Sequence, residues 1–206
     1  TLLASKWDRK SPFVNPMCGS GTIAIEAAMI ATNRRPGLFR TNYAFMHLQG
    51  YDENVYLRED ALLEEQIIDR GALQIIATDY SEIAVDNARK NAIAAGVANL
   101  IDFSVCDFAE THIPQNAPGV FYVNPEYGAR LGDISQLENT YSRIGDFMKQ
   151  QCGGYLGYVF TGNLELAKKI GLKTNRRIEF YTSTIDCRLL EYELYKGSRT
   201  SRSDKV

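Results

Sequence analysis

The sequence predicts an α/β domain built on a doubly wound, mostly parallel sheet of seven strands. Short apolar runs alternate with segments of helical periodicity along most of the chain, as such a sheet requires. Glycine-rich or polar residues follow successive apolar runs, at the strand ends where these folds bind ligands. Two adjacent extended segments near the C-terminal end predict a closing β-hairpin.

The predicted elements are distributed over the whole chain. We expect strands at 12–15, 74–78, 100–105, 119–123 and 154–161, and a hairpin formed by 175–183 and 185–195. We expect helices at 20–33, 53–70, 81–96, 135–151 and 163–170, and the first residues, from Thr1, to be helical. The segment at 34–73 is longer than a simple crossover needs.

Composition limits the possible classes of protein. With 206 residues and 45% hydrophobic content, the chain is long enough for one domain with a substantial core. Lys+Arg 23 against Asp+Glu 25 gives a net charge of -2, so no global basic field attracts nucleic acid. Four widely separated cysteines and two histidines argue against a metal site and favour a reduced, cytoplasmic setting. No apolar run reaches the length needed to span a bilayer.

The turn at 124–127 carries the most specific chemical signal. The Asn124 side-chain carbonyl and the Pro125 backbone carbonyl can both accept hydrogen bonds from one exocyclic amine, which turns the nitrogen lone pair towards a methyl donor. Tyr127 offers a ring on which a base can stack. An ordinary type I turn with proline at its second position is the alternative interpretation. The turn predicts methylation of an amine on a nucleobase or a similar planar group.

A glycine turn follows the first predicted strand. Gly19 and Gly21 allow the backbone to pass close to a ligand, and the N-terminus of the next helix adds free N–H donors. The spacing fits the dinucleotide fingerprint, which is weak by itself, and the absence of Gly-Lys-Ser/Thr argues against a nucleoside triphosphate loop. A tight turn that binds nothing is the alternative.

Two aspartates end the next two predicted strands. Asp79 can accept both hydroxyls of a ribose, and Asp107 can accept from an adenine amino group while Phe108 packs on the ring. Aspartates at such positions often cap helices or turns instead. Together with the glycine turn and Asn124, they outline a nucleoside cofactor and a target amine along one sheet edge.

On these motifs the chain resembles the catalytic domain of the class I S-adenosyl-L-methionine-dependent RNA methyltransferases. It is most similar to the bacterial family that methylates guanine N2 in 23S ribosomal RNA. The matching parts are Asn15-Pro16-Met17-Cys18-Gly19-Ser20-Gly21-Thr22, Glu26-Ala27-Ala28, Pro36-Gly37-Leu38, Thr78-Asp79, Ala88-Arg89-Lys90-Asn91, Asp107 and Asn124-Pro125-Glu126-Tyr127-Gly128. The resemblance implies a Rossmann-like seven-stranded sheet, S-adenosyl-L-methionine as cofactor, S-adenosyl-L-homocysteine as product, and a monomer that acts on ribosomal RNA.

The motifs and the resemblance assign three groups of site residues. The predicted catalytic residues are Asn124, Pro125 and Tyr127. The predicted substrate-binding residues are Glu126, Arg34 and Arg35, the two arginines as possible contacts to the RNA backbone. The predicted cofactor-binding residues are Asn15, Pro16, Cys18, Gly19, Ser20, Gly21, Thr22, Asp79, Tyr80, Asp107 and Phe108.

Two residues depart from the family pattern. The family usually has Asp at the position of Asn15, so this chain loses a charge that would face the methionine ammonium of the cofactor. It usually has a second Pro at the position of Glu126, so this chain places a carboxylate beside the target base. These departures leave open a module that binds the cofactor without turnover.

Two other enzymatic functions use similar motifs. Adenine N6 in DNA remains open, because the Asn-Pro-x-Tyr turn also serves that amine. An NAD-dependent oxidoreductase is disfavoured, because its ribose-binding acid follows the glycines by about 20 residues, whereas Asp79 comes far later.

The resemblance also bears on domain organisation. We interpret 1–196 as the methyltransferase domain and 197–206 as a mobile basic tail. Members of the family usually carry an N-terminal RNA-binding domain of the THUMP type, which this chain lacks, so we interpret the chain as a catalytic domain from a longer protein.

Overall fold

In the computed structural model, which describes residues 1–128, 134–182 and 185–196, seven strands form one sheet. They are β1 (Phe13–Pro16), β2 (Ile75–Asp79), β3 (Ile101–Val105), β4 (Val120–Val123), β5 (Leu156–Thr161), β6 (Arg176–Thr182) and β7 (Ile185–Glu193). Their order is β3-β2-β1-β4-β5-β7-β6. Strands β1 to β5 are parallel, and β7 pairs antiparallel with both β5 and β6. The predicted doubly wound sheet and closing hairpin are confirmed.

Five α-helices connect or flank these strands in the described ranges. They are α1 (Thr22–Ala31), α2 (Glu53–Glu65), α3 (Glu82–Ala94), α4 (Ile134–Gln151) and α5 (Leu164–Lys168). α1 begins later than predicted because Gly21 has a φ of 83°, outside the helical region. α2 and α5 end earlier than predicted, and the N-terminal segment forms only a short 3₁₀ turn at Leu2–Ala4. The predicted tail at 197–206 lies outside the described residues.

The core lies on both faces of the sheet. On one face, small side chains let α1 pack against α3, and a Cβ on Gly21 would lie only 2.8 Å from the Ala88 Cβ. On the other face, Ile144 and Met148 of α4 are fully buried in a cluster with Phe121 of β4. Because helices cover both faces of the sheet, β1 and β4 are buried at every position.

The segment between α1 and β2 forms a small unit of its own. No residue of α2 is buried. The unit instead holds four clustered aromatic side chains, whose ring centroids lie 5.2–6.4 Å apart, namely Tyr43, Phe45, Tyr51 and Tyr56. Its end returns to the C-terminus of α1, where the Ile68 N–H donates to the Thr32 carbonyl at 2.9 Å. This unit therefore lies towards the edge where the parallel strands begin.

Within the described ranges, no helix is long and apolar enough to cross a bilayer.

The packing of α4 gives a prediction about stability. A Cβ on Gly145 would overlap the backbone carbonyl oxygen of Ile170. We expect Gly145→Ala to lower the free energy of unfolding by about 1–3 kcal/mol, because backbone must move to relieve the overlap. Urea unfolding measures the change. Gly71→Ala is the control, because a Cβ there meets nothing within 4 Å and its φ is ordinary. Equal stability of wild type and Gly145→Ala would contradict this close packing.

Candidate active site

A cavity opens at the carboxyl edge of the sheet, where the strand order reverses between β1 and β4. Its volume is about 370 Å³, within the usual range for small-molecule sites. It is lined by Met17, Gly19, Asp79, Tyr80, Asp107, Phe108, Asn124, Pro125, Glu126, Gln136, Leu137, Thr140 and Arg143. Ligands of doubly wound sheets bind at this kind of switch point.

The glycine turn after β1 forms one wall of the cavity. Met17 and Gly19 both have a φ of 54°, in the left-handed region. A Cβ on Gly19 would meet nothing within 4 Å, so the backbone there is open to a ligand, whereas Gly21 is needed for packing against α3. Met17 is a non-glycine residue held in a costly conformation beside the cavity, as occurs at functional sites.

The Asp79 carboxylate links two strand-end turns. Its Oδ2 accepts from the Gly19 N–H at 3.0 Å, and its Oδ1 accepts from the Ser81 N–H at 3.0 Å. The residue is 8% exposed and lines the cavity. Each carboxylate oxygen has a further lone pair, so this capping leaves acceptor capacity for a ligand.

Asp107 is held by two donors on a single oxygen. Its Oδ1 accepts from the Ala109 N–H at 2.9 Å and from Arg143 Nη2 at 2.7 Å. Burial would raise the pKa of Asp107, but these two donors outweigh it and hold the pKa below its usual range. Phe108 is 5% exposed, and the Arg143 guanidinium lies 4.8 Å from its ring centroid. The Phe108 ring therefore already has a partner on one side.

Asn15 carries a buried oxygen that lacks a partner among the described residues. The side chain is 1% exposed, and its Nδ2 donates to the Tyr122 carbonyl at 2.9 Å, while Oδ1 accepts from no group. A buried acceptor without a donor costs about 1–3 kcal/mol. A donor on a bound ligand can offset that cost.

Only part of the turn after β4 lines the cavity. Asn124, Pro125 and Glu126 line the cavity, and the exposed side chains of Asn124 and Glu126 have no polar partner within the described ranges. The Tyr127 ring packs beside Gly162 instead, and its hydroxyl lies 3.9 Å from Cys187 Sγ. Burial, followed by the neighbouring Cys187, raises the pKa of Tyr127.

The structure does not bring the predicted arginines to the cavity. Arg35 forms an ion pair with Asp60 and donates to the Tyr43 hydroxyl at 3.1 Å, within the small unit that follows α1. Arg34 lies beside Gly96, after the end of α3. Because α1 and α3 run back to the start of the parallel strands, both arginines lie near the opposite sheet edge. Their contact with RNA stays a prediction.

The other predicted cofactor residues frame the cavity without lining it. These are Asn15, Pro16, Cys18, Ser20, Gly21 and Thr22, all in or next to the glycine turn. Burial, with the nearby Asp79 charge, raises the pKa of the Cys18 thiol to about 12. Cys18 is therefore a neutral thiol at pH 7 and is unsuited to act as a nucleophile.

The sequence interpretation missed the wall that α4 contributes. Gln136, Thr140 and Arg143 follow one another at helical spacing and line the cavity together with Leu137. A polar row beside the apolar face of this helix was a usable signal. In the part of the chain that the structure describes, no group of three or more His, Cys, Asp or Glu side chains is placed to hold a metal ion.

The sheet order, the cavity at its switch point and the two turns beside it define a class I methyltransferase domain. The chain belongs to the family of RMKL-like methyltransferase domains, whose model matches residues 2–191.

Curated relatives and solved structures agree with this assignment. The chain is 33% identical over 201 residues to ribosomal RNA large subunit methyltransferase K/L of Shewanella baltica, covering 96% of this chain and 28% of that protein. The K/L protein of Syntrophotalea carbinolica is 35% identical over 205 residues, and the match covers 94% of this chain and 28% of that protein. The chain thus spans less than a third of the length of these relatives.

Two solved structures share the fold at 28% sequence identity. SMU.472, a putative methyltransferase, was crystallised with S-adenosyl-L-homocysteine (SAH). Its TM-score is 0.87, and the match covers 96% of this chain and 52% of that chain. A predicted N6-adenine-specific DNA methylase from Listeria monocytogenes has a TM-score of 0.83, with 94% and 49% covered.

The position of Tyr127 gives a testable prediction. A Cβ on Gly162 would lie 2.8 Å from Tyr127 Cε2 and 2.8 Å from Ile185 Cγ2. We expect Gly162→Ala to displace the ring and to slow methyl transfer by about tenfold or more, since small misplacements near a reacting group are costly. Affinity for SAH should stay unchanged, because Tyr127 does not line the cavity. If Gly162→Ala transferred the methyl group at the wild-type rate, the position of the Tyr127 ring would not matter for transfer.

Proposed function

We propose that this chain is the catalytic domain of an S-adenosyl-L-methionine-dependent methyltransferase that modifies an exocyclic base amine in RNA, with guanine N2 of 23S ribosomal RNA as its target. One observation carries the proposal: Asn124 and Pro125 face the same cavity as Gly19 and Asp79. The names of the K/L relatives support a ribosomal substrate, and the SAH in SMU.472 supports the cofactor. We further propose that the protein works as a monomer in the cytoplasm.

The residues in and behind the cavity wall fit this cofactor. The backbone at Gly19 is open to a ligand. Asn15 is buried and does not line the cavity, but its unpartnered Oδ1 suits the methionine ammonium. Asp79 would accept from the ribose hydroxyls and Asp107 from the adenine amino group. When bound, S-adenosyl-L-methionine supplies a methyl group that is already electrophilic.

The acceptor side would work mainly by orientation. Asn124 Oδ1 and the Pro125 carbonyl would accept the two N–H groups of the target amine. Tyr127 would stack on the base from its position beside Gly162, outside the cavity lining. As the N–CH3 bond forms and the S–CH3 bond breaks, the amine would release one proton to solvent, so Asn124, Pro125 and Tyr127 need not exchange a proton. The neutral Cys18 thiol offers no covalent route. Arg34 and Arg35 would contact RNA only far from the reacting amine.

Adenine N6 is the second candidate for the target. The DNA methylase description of the similar Listeria protein and the Asn-Pro-x-Tyr turn favour it. Nucleoside mass spectrometry of ribosomal RNA, transfer RNA and DNA, from cells with and without the gene, separates the two. Loss of N2-methylguanosine from ribosomal RNA supports guanine N2, and loss of N6-methyladenine from DNA contradicts it.

The role of Asn124 predicts a specific kinetic defect. We expect Asn124→Ala to lose about 100-fold or more in methyl transfer, because the acceptor amine is no longer oriented. Single-turnover transfer to RNA by the purified protein is the measurement, with SAH affinity from calorimetry alongside it. Transfer within a few-fold of wild type would remove Asn124 from the mechanism.

Asp79→Ala is the complementary variant, because it should change SAH affinity, which Asn124→Ala should not. It should weaken SAH binding by about 1–3 kcal/mol through loss of charge-assisted hydrogen bonds, whereas Asn124→Ala should leave SAH affinity nearly unchanged. If Asn124→Ala weakened SAH binding as much as Asp79→Ala does, the cofactor and the acceptor amine would not have separate binding groups.

The exposed Glu126 predicts base selectivity. Its carboxylate can accept from N1–H of guanine, while Asn124 and Pro125 take the two N2–H groups, whereas adenine presents an acceptor at N1. We expect Glu126→Gln and Glu126→Pro to reduce the preference for guanine by about 1–3 kcal/mol, the range of a hydrogen bond to a charged group. Transfer to matched guanine and adenine oligonucleotides measures the preference. If both variants keep the wild-type ratio, Glu126 does not discriminate between the bases.

A further inference from the structure

The two oxygens of the Asp107 carboxylate have different surroundings. Oδ1 accepts from both the Ala109 N–H and Arg143 Nη2, at 2.9 Å and 2.7 Å. Oδ2 has no hydrogen-bond donor within the described part of the chain, although Asp107 lines the cavity. The local contacts therefore saturate one oxygen and leave the other as the acceptor for a ligand.

Arg143 is fixed in two directions. Its guanidinium donates to Asp107 Oδ1 and lies 4.8 Å from the centroid of the Phe108 ring. A planar guanidinium can make an ion pair and a cation–π contact at once, which limits its rotation. Through these contacts α4 sets the orientation of the turn that follows β3.

We propose that Arg143 is a positioning residue for the adenine of the cofactor. By occupying Oδ1, it orients the Asp107 carboxylate so that Oδ2 accepts from the 6-amino group. This inference rests on the proposed function, and it concerns a residue that does not itself contact the amino group.

A purely structural role explains the pair less well. The Arg143 and Asp107 side chains are 43% and 41% exposed, and exposed ion pairs contribute little to stability. A matched ion pair joins Glu138 of α4 to Lys169 at the end of α5; the two side chains are 42% and 46% exposed and 2.9 Å apart. Neither residue of that second pair lines the cavity, so Lys169→Met removes an equivalent ion pair without touching the site.

The test compares SAH with an analogue whose adenine lacks the 6-amino group. Calorimetry gives the affinity of each ligand for the purified wild type, Arg143→Met, Arg143→Gln and Lys169→Met. We expect both Arg143 variants to lose about tenfold in SAH affinity, the scale of one charge-assisted hydrogen bond. Affinity for the analogue should change little, so the ratio between the ligands falls. Lys169→Met should keep the wild-type ratio.

A double variant separates positioning from general damage. If Arg143 acts through Asp107, then Arg143→Met should change the ligand ratio no further once Asp107→Asn is present. An unchanged ratio in both single Arg143 variants, or an equal loss for both ligands, would overturn the inference. Failure of the folded wild type to bind SAH would instead contradict the proposed function.

Discussion

The buried carboxylate of Asp79 is the interaction on which the rest of the site depends. It accepts from Gly19 in the turn after β1 and from Ser81 in the turn after β2. Both turns are short and contain backbone N–H groups that would otherwise lack a partner at the sheet edge. Because Met17 and Gly19 have positive φ, the first turn needs such an external acceptor to keep its shape. The same carboxylate lines the cavity, so one residue both builds the wall and offers acceptor oxygens to a ligand.

The charge of the cavity wall explains which ligand it suits. Among the described lining residues, Asp79, Asp107 and Glu126 are acidic and Arg143 is the basic one, and Arg143 is already paired with Asp107. Such a wall suits a cationic sulfonium and a neutral base amine better than a phosphate. Under the proposed function, the RNA backbone must therefore be attracted by surfaces other than this cavity wall, which agrees with the net charge of -2.

The sequence predicted the strands and the strand-end residues because both depend on local signals. Apolar runs and glycine turns are readable along the chain, and parallel topology then brings Gly19, Asp79, Asp107 and Asn124 to one edge. The α4 wall was missed because the polar row at Gln136, Thr140 and Arg143 marks a face of the helix, whereas the cavity that this face covers depends on tertiary packing. Arg34 was assigned by charge alone, although a helix that follows β1 must return towards the opposite edge.

We propose that cofactor and acceptor amine meet in this one cavity, and a crystal structure of the protein with S-adenosyl-L-homocysteine decides whether they do. We expect the homocysteine amino group at Asn15 Oδ1, the ribose at Asp79, the adenine at Asp107 and the sulfur directed towards Asn124. A ligand bound outside this cavity, or with its sulfur directed away from Asn124, would show that the two do not meet here.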